Sequence, residues 1–252
     1  MQFKDKVVLI TGGSRGIGRA IAQQFAEQGA RLAINYRSNT TAAKATLAEL
    51  PTGDHYLFQA DITDPQEVKT LVDDVVAQMG RLDILINNAA IYEEHPITEV
   101  SYETWQSSWQ NTLNSNLLSA ANLIYCAAHY MIKQGGGRVV NVSSRGAFRG
   151  EPTAPAYGAS KAALNSMGQS LAKMLAPHGI FINTVAPGFV ETEMADFVLK
   201  SPLGDDIRNQ SPLGRVALPE EVAHVVLFLA SEKAAFTTGA IVDINGASYL
   251  RT

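Results

Sequence analysis

Tyr157 and Lys161 stand four residues apart in the run Tyr157-Gly158-Ala159-Ser160-Lys161. On a helix that spacing puts both side chains on one face. An ammonium held ~4 Å from a phenol at an effective dielectric of ~20 is worth ~4 kcal/mol, enough to lower a phenolic pKa of ~10 by roughly three units. A tyrosine so placed can act as acid or base near neutral pH. Structural helices also contain Tyr-x-x-x-Lys by chance, so the rest of the chain has to decide.

A second constellation, Thr11-Gly12-Gly13-Ser14-Arg15-Gly16-Ile17-Gly18, follows a short apolar run and opens directly into a helical pattern. Glycine lets a phosphate approach the backbone, and a helix N-terminus offers unpaired N-H groups and the positive end of a dipole. Gly12, Ser14, Arg15, Gly16, Ile17 and Gly18 are therefore the candidate phosphate contacts, although Gly-x-x-x-Gly-x-Gly differs from the Gly-x-Gly-x-x-Gly dinucleotide fingerprint. Gly12-Gly13-Ser14-Arg15-Gly16 also satisfies Gly-x-Ser-x-Gly, the nucleophile elbow of hydrolases. Such an elbow takes half of its oxyanion hole from an upstream strand and loop, which the short stretch before Gly12 does not supply. Ser170-Leu171-Ala172-Lys173 matches Ser-x-x-Lys without a Lys-Thr-Gly companion, and the histidines at 55, 95, 129, 178 and 224 have no metal-ligand spacing, so no metal is expected.

The elements that must position these residues follow from hydropathy. Short β-branched runs at 7–11, 31–36, 56–60, 84–86, 138–142, 180–185 and 241–244 alternate with helical patterns at 17–28, 41–50, 65–79, 102–133, 155–176 and 219–230. That alternation predicts one α/β domain over 1–252, a doubly wound seven-stranded parallel sheet with helices on both faces. The irregular stretch 188–215, with Met194, Phe197, Val198 and Leu199 among Gly and Pro, reads as a lid over the substrate. Helical stretches 113–131 and 159–175 are apolar on more than one face, which predicts a homo-oligomer, a dimer or tetramer.

Composition excludes other classes. Among 252 residues, 46% are hydrophobic and 17% charged, and the net charge is −4 with no block of one sign. Neither nucleic acid nor an anionic membrane is an expected partner. The single cysteine, Cys126, rules out a disulfide framework within the chain. No signal-peptide pattern or membrane-spanning run is seen, so a cytoplasmic location is expected, and the sequons at Asn39 and Asn141 are read as chance.

Taken in order, Thr11-Gly-x-x-x-Gly16-x-Gly18, Asn87-Asn88-Ala89, Ser144, Tyr157-x-x-x-Lys161 and Pro187-Gly188 resemble the motifs of the short-chain dehydrogenase/reductase family over nearly the whole chain. The resemblance implies a Rossmann-type fold and hydride exchange between a nicotinamide and a carbonyl or alcohol carbon. It implies Tyr157 as the proton donor, Lys161 as the cation that tunes it and holds the nicotinamide ribose, and Ser144 on the reacting oxygen. Asn116 completes the set by helping to hold a water that connects Lys161 to solvent. By the same likeness, Asp61 and Ile62 meet the adenine, Asn88 lies beside the adenosine ribose, and Pro187, Gly188, Val190 and Thr192 lie at the nicotinamide carboxamide. The chain departs from the family pattern at Ala90, usually glycine, and at Asn245-Gly246-Ala247, usually Asp-Gly-Gly.

Enzymes that use NAD place an acid at the end of the second strand to accept from the ribose 2′-hydroxyl. Tyr36-Arg37 stands there instead. Arg37 and Arg15 suit the charge-assisted hydrogen bonds of a 2′-phosphate, so NADP(H) is the expected cofactor. The substrate is a small-molecule carbonyl, and the arginine arrangement resembles 3-oxoacyl-(acyl-carrier-protein) reductases, whose substrate is a thioester on the carrier protein. A sugar, steroid, quinone or other ketone fits the motifs as well, and a dinucleotide-binding regulator without turnover remains a rival.

Overall fold

The computed structural model describes residues 1–251. Its strands are β1 (Val7–Ile10), β2 (Arg31–Tyr36), β3 (His55–Gln59), β4 (Ile84–Asn87), β5 (Gly137–Val142), β6 (Ile180–Pro187) and β7 (Ile241–Ile244). All pair in parallel in the order β3-β2-β1-β4-β5-β6-β7. Such a sheet is covered on both faces, which is why Val7–Ile10 and Ile84–Asn87 are buried at every position. The strand order reverses between β1 and β4, and the crevice outside the carboxyl ends of strands at such a point is where open α/β sheets take ligands.

The helices are α1 (Gly16–Glu27), α2 (Thr40–Glu49), α3 (Pro65–Met79), α4 (Tyr102–Leu113), α5 (Ser119–Lys133), α6 (Gly146–Arg149), α7 (Pro155–Leu175), α8 (Glu193–Leu199), α9 (Gly204–Asn209) and α10 (Pro219–Ala230). Side chains alternate across each strand. Val8 and Ile10 thus pack with Ile21 and Phe25 of α1 and Val222 and Val226 of α10. Val7 and Leu9 face the other way, onto Val68 and Val72 of α3 and Leu123 and Ile124 of α5. Local signals set the helix ends: Asp64 Oδ1 accepts from the N-H groups of Gln66 and Glu67 at 2.7 and 3.3 Å, Pro65 follows, and Gly80 closes α3 at φ 82°.

Two expectations change in detail. The helix expected over 102–133 is interrupted by one π-helical turn, Asn114–Leu118, between α4 and α5. The segment 188–215 contains α8 and α9 rather than irregular chain. A parallel bridge between Val190 and Ala217 closes its base, with Glu191 N donating to Ala217 O at 2.9 Å and Ala217 N to Phe189 O at 3.0 Å. Seven- and six-residue helices are too short to show a period in the sequence.

Candidate active site

Tyr157 is the third residue of α7, Lys161 lies one turn on, and Ser144 stands two residues beyond β5. The Tyr157 hydroxyl has the Ser144 side chain in its surroundings. Ser144 Oγ in turn accepts from Gly146 N at 3.0 Å. Lys161 is 2% exposed, and its Nζ donates to Val142 O at 2.8 Å. The expected lowering of the Tyr157 pKa by Lys161 is not what this geometry gives. Nζ lies 5.8 Å from the centroid of the phenol ring, and burial pushes Tyr157 up to about 12 against the opposing influence of the nearby Ser144 side chain, with Glu151 and Tyr92 adding to the rise. Burial also pushes Lys161 down to about 8. Desolvation dominates at both groups.

The π turn sets Asn116 facing the loop after β4. Its Oδ1 accepts from Ile91 N at 2.8 Å, and its Nδ2 donates to Ile91 O at 3.0 Å and Ser160 Oγ at 3.2 Å. Ser160 Oγ donates to Tyr157 O at 2.7 Å, so Asn116 is tied to the same helical turn as Tyr157 and Lys161. Widened turns of this kind occur often at functional sites.

His95 does more than the sequence indicated. It is fully buried, with its ring edge against Trp105. Its Nε2 accepts from Ala156 N at 3.3 Å, so Nδ1 carries the hydrogen and donates to Glu93 O at 2.9 Å. Ala156 immediately precedes Tyr157, so His95 fixes the start of α7 by taking one of the free N-H groups of its first turn. Neither spacing nor composition signals this role. His95→Ala is expected to cost about 3 kcal/mol, through two lost hydrogen bonds and a cavity against Trp105, read as a lowered midpoint in urea unfolding.

The glycine turn is built for close approach. Gly12 and Gly16 have φ of 61° and 50°. A Cβ on Gly18 would lie 2.3 Å from Gly12 O and 2.7 Å from Asn88 Nδ2, so no side chain fits. Asn88 Nδ2 donates to Thr11 O at 2.9 Å and Gly12 O at 3.2 Å, while Thr11 Oγ1 accepts from Asn88 N at 3.0 Å and Ala89 N at 3.1 Å. Ile17 follows Gly16 in the first turn of α1. Ser14 is buried, and among the described residues no histidine bonds its hydroxyl, which leaves the hydrolase elbow without a base.

Arg37 is exposed just past β2. Asp61 lies beyond β3, where Oδ1 accepts from Thr63 N and Oγ1 at 3.0 and 2.8 Å. Against a partial burial that works the other way, those bonds and the charge of Arg37 hold its carboxyl below the usual range. Ile62 next to it is buried in the core. Pro187 ends β6, Gly188 comes within 3.0 Å of Asn245 Cβ at its Cβ position, and Val190 is buried. Thr192 lies 3.2 Å from the Cβ position of Gly16, so the segment after β6 meets the glycine turn. Arg15 reaches across this junction, its Nη1 3.3 Å from Glu193 Oε2. Of the two departures from the family pattern, Ala90 keeps a negative φ while Ala247 is held at φ 59°, where glycine is unstrained.

These residues converge at the carboxyl ends of β1, β4, β5 and β6 in an arrangement that fits a dinucleotide: a bare glycine turn at a helix N-terminus, with arginines on its outer side. A protein-family model described as "Enoyl-(Acyl carrier protein) reductase" matches residues 12–247. The chain belongs to the short-chain dehydrogenase/reductase family of oxidoreductases. Curated relatives include the 3-oxoacyl-(acyl-carrier-protein) reductase FabG of Staphylococcus aureus, 37% identical over 247 residues, 97% of this chain and 98% of that protein. The FabG of Escherichia coli K12 is 35% identical over 254 residues, 99% of this chain and all of that protein. Among solved structures, a dehydrogenase/reductase from Sinorhizobium meliloti superposes with a TM-score of 0.91 at 30% identity, covering 99% of this chain and 97% of the other.

Proposed function

We propose that this short-chain dehydrogenase/reductase is an NADPH-dependent carbonyl reductase with Tyr157 as its acid. One observation carries the reading: Tyr157, kept protonated at neutral pH by burial, stands one turn of α7 before the buried Lys161 with the Ser144 side chain beside it. The reduced nicotinamide, when bound, supplies the hydride. Tyr157 gives its proton to the carbonyl oxygen of the substrate, and Ser144 donates a hydrogen bond to that oxygen as charge builds on it. Lys161, pushed to about 8, exchanges protons near neutral pH and holds the nicotinamide ribose together with Tyr157. Asn116 fixes the backbone at Ile91 and helps hold the water that connects Lys161 to solvent.

Gly12, Ser14, Arg15, Gly16, Ile17 and Gly18 would cradle the pyrophosphate, Arg15 and Arg37 the 2′-phosphate, and Asn88 the adenosine ribose. Asp61 and Ile62 would meet the adenine, and Pro187, Gly188, Val190 and Thr192 the carboxamide. The segment 188–215 acts as the lid. Because Arg15 is paired with Glu193 of that lid, the 2′-phosphate must compete for it. Both side chains are well exposed, so the pair is worth at most about 1 kcal/mol. Glu193→Gln is therefore expected to tighten NADPH by up to about five-fold and leave NADH unchanged, measured by coenzyme fluorescence. An equal change for both coenzymes would remove Arg15 from the 2′-phosphate.

The names of the curated relatives favour a 3-oxoacyl thioester as substrate. A second reading, a ketone not carried by a protein, is favoured by the rim beside Tyr157. Tyr92 packs edge-on to Tyr157 at 5.1 Å, and Thr153 next to it bonds the exposed Glu94, while Glu151 nearby is paired with Arg149. The Glu94 carboxylate there repels an acidic carrier protein. An assay of NADPH and NADH oxidation against acetoacetyl-carrier protein, its coenzyme A ester and free ketones decides between the two. Oxidation of neither coenzyme with any carbonyl would instead favour a regulator. No helix among the described residues is long and apolar enough to cross a membrane, and a cytoplasmic location is part of the proposal. As an assembly we propose a homodimer or homotetramer: Leu118, Tyr125 and Ile132, seven residues apart on one helical face, are exposed, as is Met174 of α7.

A further inference from the structure

Arg145, the residue after Ser144, is only 3% exposed. It is anchored by its backbone N-H, which donates to Pro187 O at 2.8 Å. Its Nη1 donates to Ser248 Oγ and its Nη2 to Gln210 Oε1, and the guanidinium lies 5.1 Å from the centroid of the Phe189 ring. Every one of these partners is uncharged. The acids in the neighbourhood are already taken: Glu221 accepts twice from Arg215 at 2.7 Å, Asp243 pairs with Arg251 at 2.7 Å, and Glu151 lies 3.6 Å from Arg149. Among the described residues, no carboxylate comes within 4.0 Å of Arg145.

A buried cation with only neutral partners is costly, and proteins seldom keep one without a counter-charge. Burial and the charge of Arg149 act against the guanidinium and push it down to about 10, partly offset by Glu151. Beside Arg145 is a cavity of about 230 Å³ between the 188–217 segment and the end of β7. Phe189, Ile207, Leu213 and Val216 give it apolar walls, Ser248 adds a hydroxyl next to the cation, and Glu221, Asp243 and Arg215 also line it, with both acids neutralised by their arginine partners.

We propose that this cavity binds a short aliphatic carboxylate, the carboxyl group taking the Arg145 guanidinium and the hydrocarbon lying against Phe189, Ile207 and Leu213. The guanidinium fork matches a carboxylate's two oxygens, and the walls match a chain. The volume falls below the roughly 300–1,000 Å³ of pockets for drug-sized ligands, which limits the acid to a few carbons. The carboxylate belongs either to the far end of the ketone substrate or to a separate effector. Either source stands apart from the coenzyme and proton-donor roles proposed above, because binding here is measured without turnover.

The test is calorimetric titration of the full chain with hexanoate and with hexanamide, its uncharged counterpart. Hexanoate should bind at least ten-fold more tightly, and Arg145→Gln should weaken hexanoate at least ten-fold while hexanamide is unaffected. Arg145→Lys should retain part of the preference. Equal binding of the two ligands, no binding of hexanoate, or undiminished binding to Arg145→Gln would overturn the site. Should Arg145→Gln fail to fold, Val216→Phe fills the cavity and keeps the cation, so hexanoate binding that survives it overturns the site equally. With an active assay in hand, inhibition by hexanoate competitive with the ketone assigns the carboxylate to the substrate, and non-competitive inhibition assigns it to an effector.

Discussion

Tyr157→Phe is expected to lower kcat for carbonyl reduction by roughly 10²–10⁴-fold while leaving NADPH binding nearly intact. The change removes one oxygen. The ring stays packed edge-on to Tyr92 at 5.1 Å, and α7 keeps its start at His95, so the fold loses little, about 1 kcal/mol or less. Ser144 and the bound coenzyme would still polarise the carbonyl and offer a hydride. What is missing is a proton held at the reacting oxygen. Single-turnover absorbance at 340 nm, with coenzyme affinity measured separately, makes the distinction. A variant that keeps more than about a tenth of the wild-type rate would place the proton donor elsewhere.

The second large effect has opposite signs for activity and stability. Lys161 is pushed from its ordinary 10.5 to about 8 by burial, with one carbonyl, Val142 O, as its partner. Between pH 8 and 10.5 the folded chain therefore binds fewer protons at this side chain than the unfolded chain does. Stability rises with pH through that window, and below pH 8 the penalty is at its full size, roughly 3 kcal/mol. Lys161→Met removes the buried charge and keeps most of the volume. It should stabilise the protein by about 1–3 kcal/mol at pH 7 while turnover collapses, and the gain should shrink as pH rises from 8 to 10.5. Chemical denaturation at pH 7 and pH 10 measures both quantities. If Lys161→Met is less stable than wild type at pH 7, burial is not what dominates at this side chain.

Much of this molecule was legible in its residues, and the failures have physical causes. Parallel strands buried on both faces leave near-continuous apolar runs, so β2 falls where the hydropathy places it; the half-exposed edge strand β7 also matches, and the other strands differ by one or two residues. The glycine turn was legible because steric exclusion leaves one residue type at Gly18. The electrostatic balance between Tyr157 and Lys161 was not, because helical spacing gives proximity and says nothing of the dehydration that both groups undergo. His95 was passed over for a related reason. Its partner, the Ala156 N-H, is a backbone group and leaves no trace in sequence. Arg145 likewise shows its isolation only once the pairings of Arg149, Arg215 and Arg251 are known.

The π turn at Asn114–Leu118 carries a consequence for how the chain tolerates change in length. A π turn accommodates one residue more than the α-helical ladder needs, and the segments on either side keep their facing. Shortening the chain by one residue between 114 and 118 would restore an uninterrupted ladder from Tyr102 to Lys133, with Leu123, Ala127 and Met131 still directed into the core. The amide of Asn116 would then swing away from Ile91. At this point the redundancy of a single peptide unit separates a protein that merely folds from one that keeps the loop after β4 tied to the Tyr157 turn of α7.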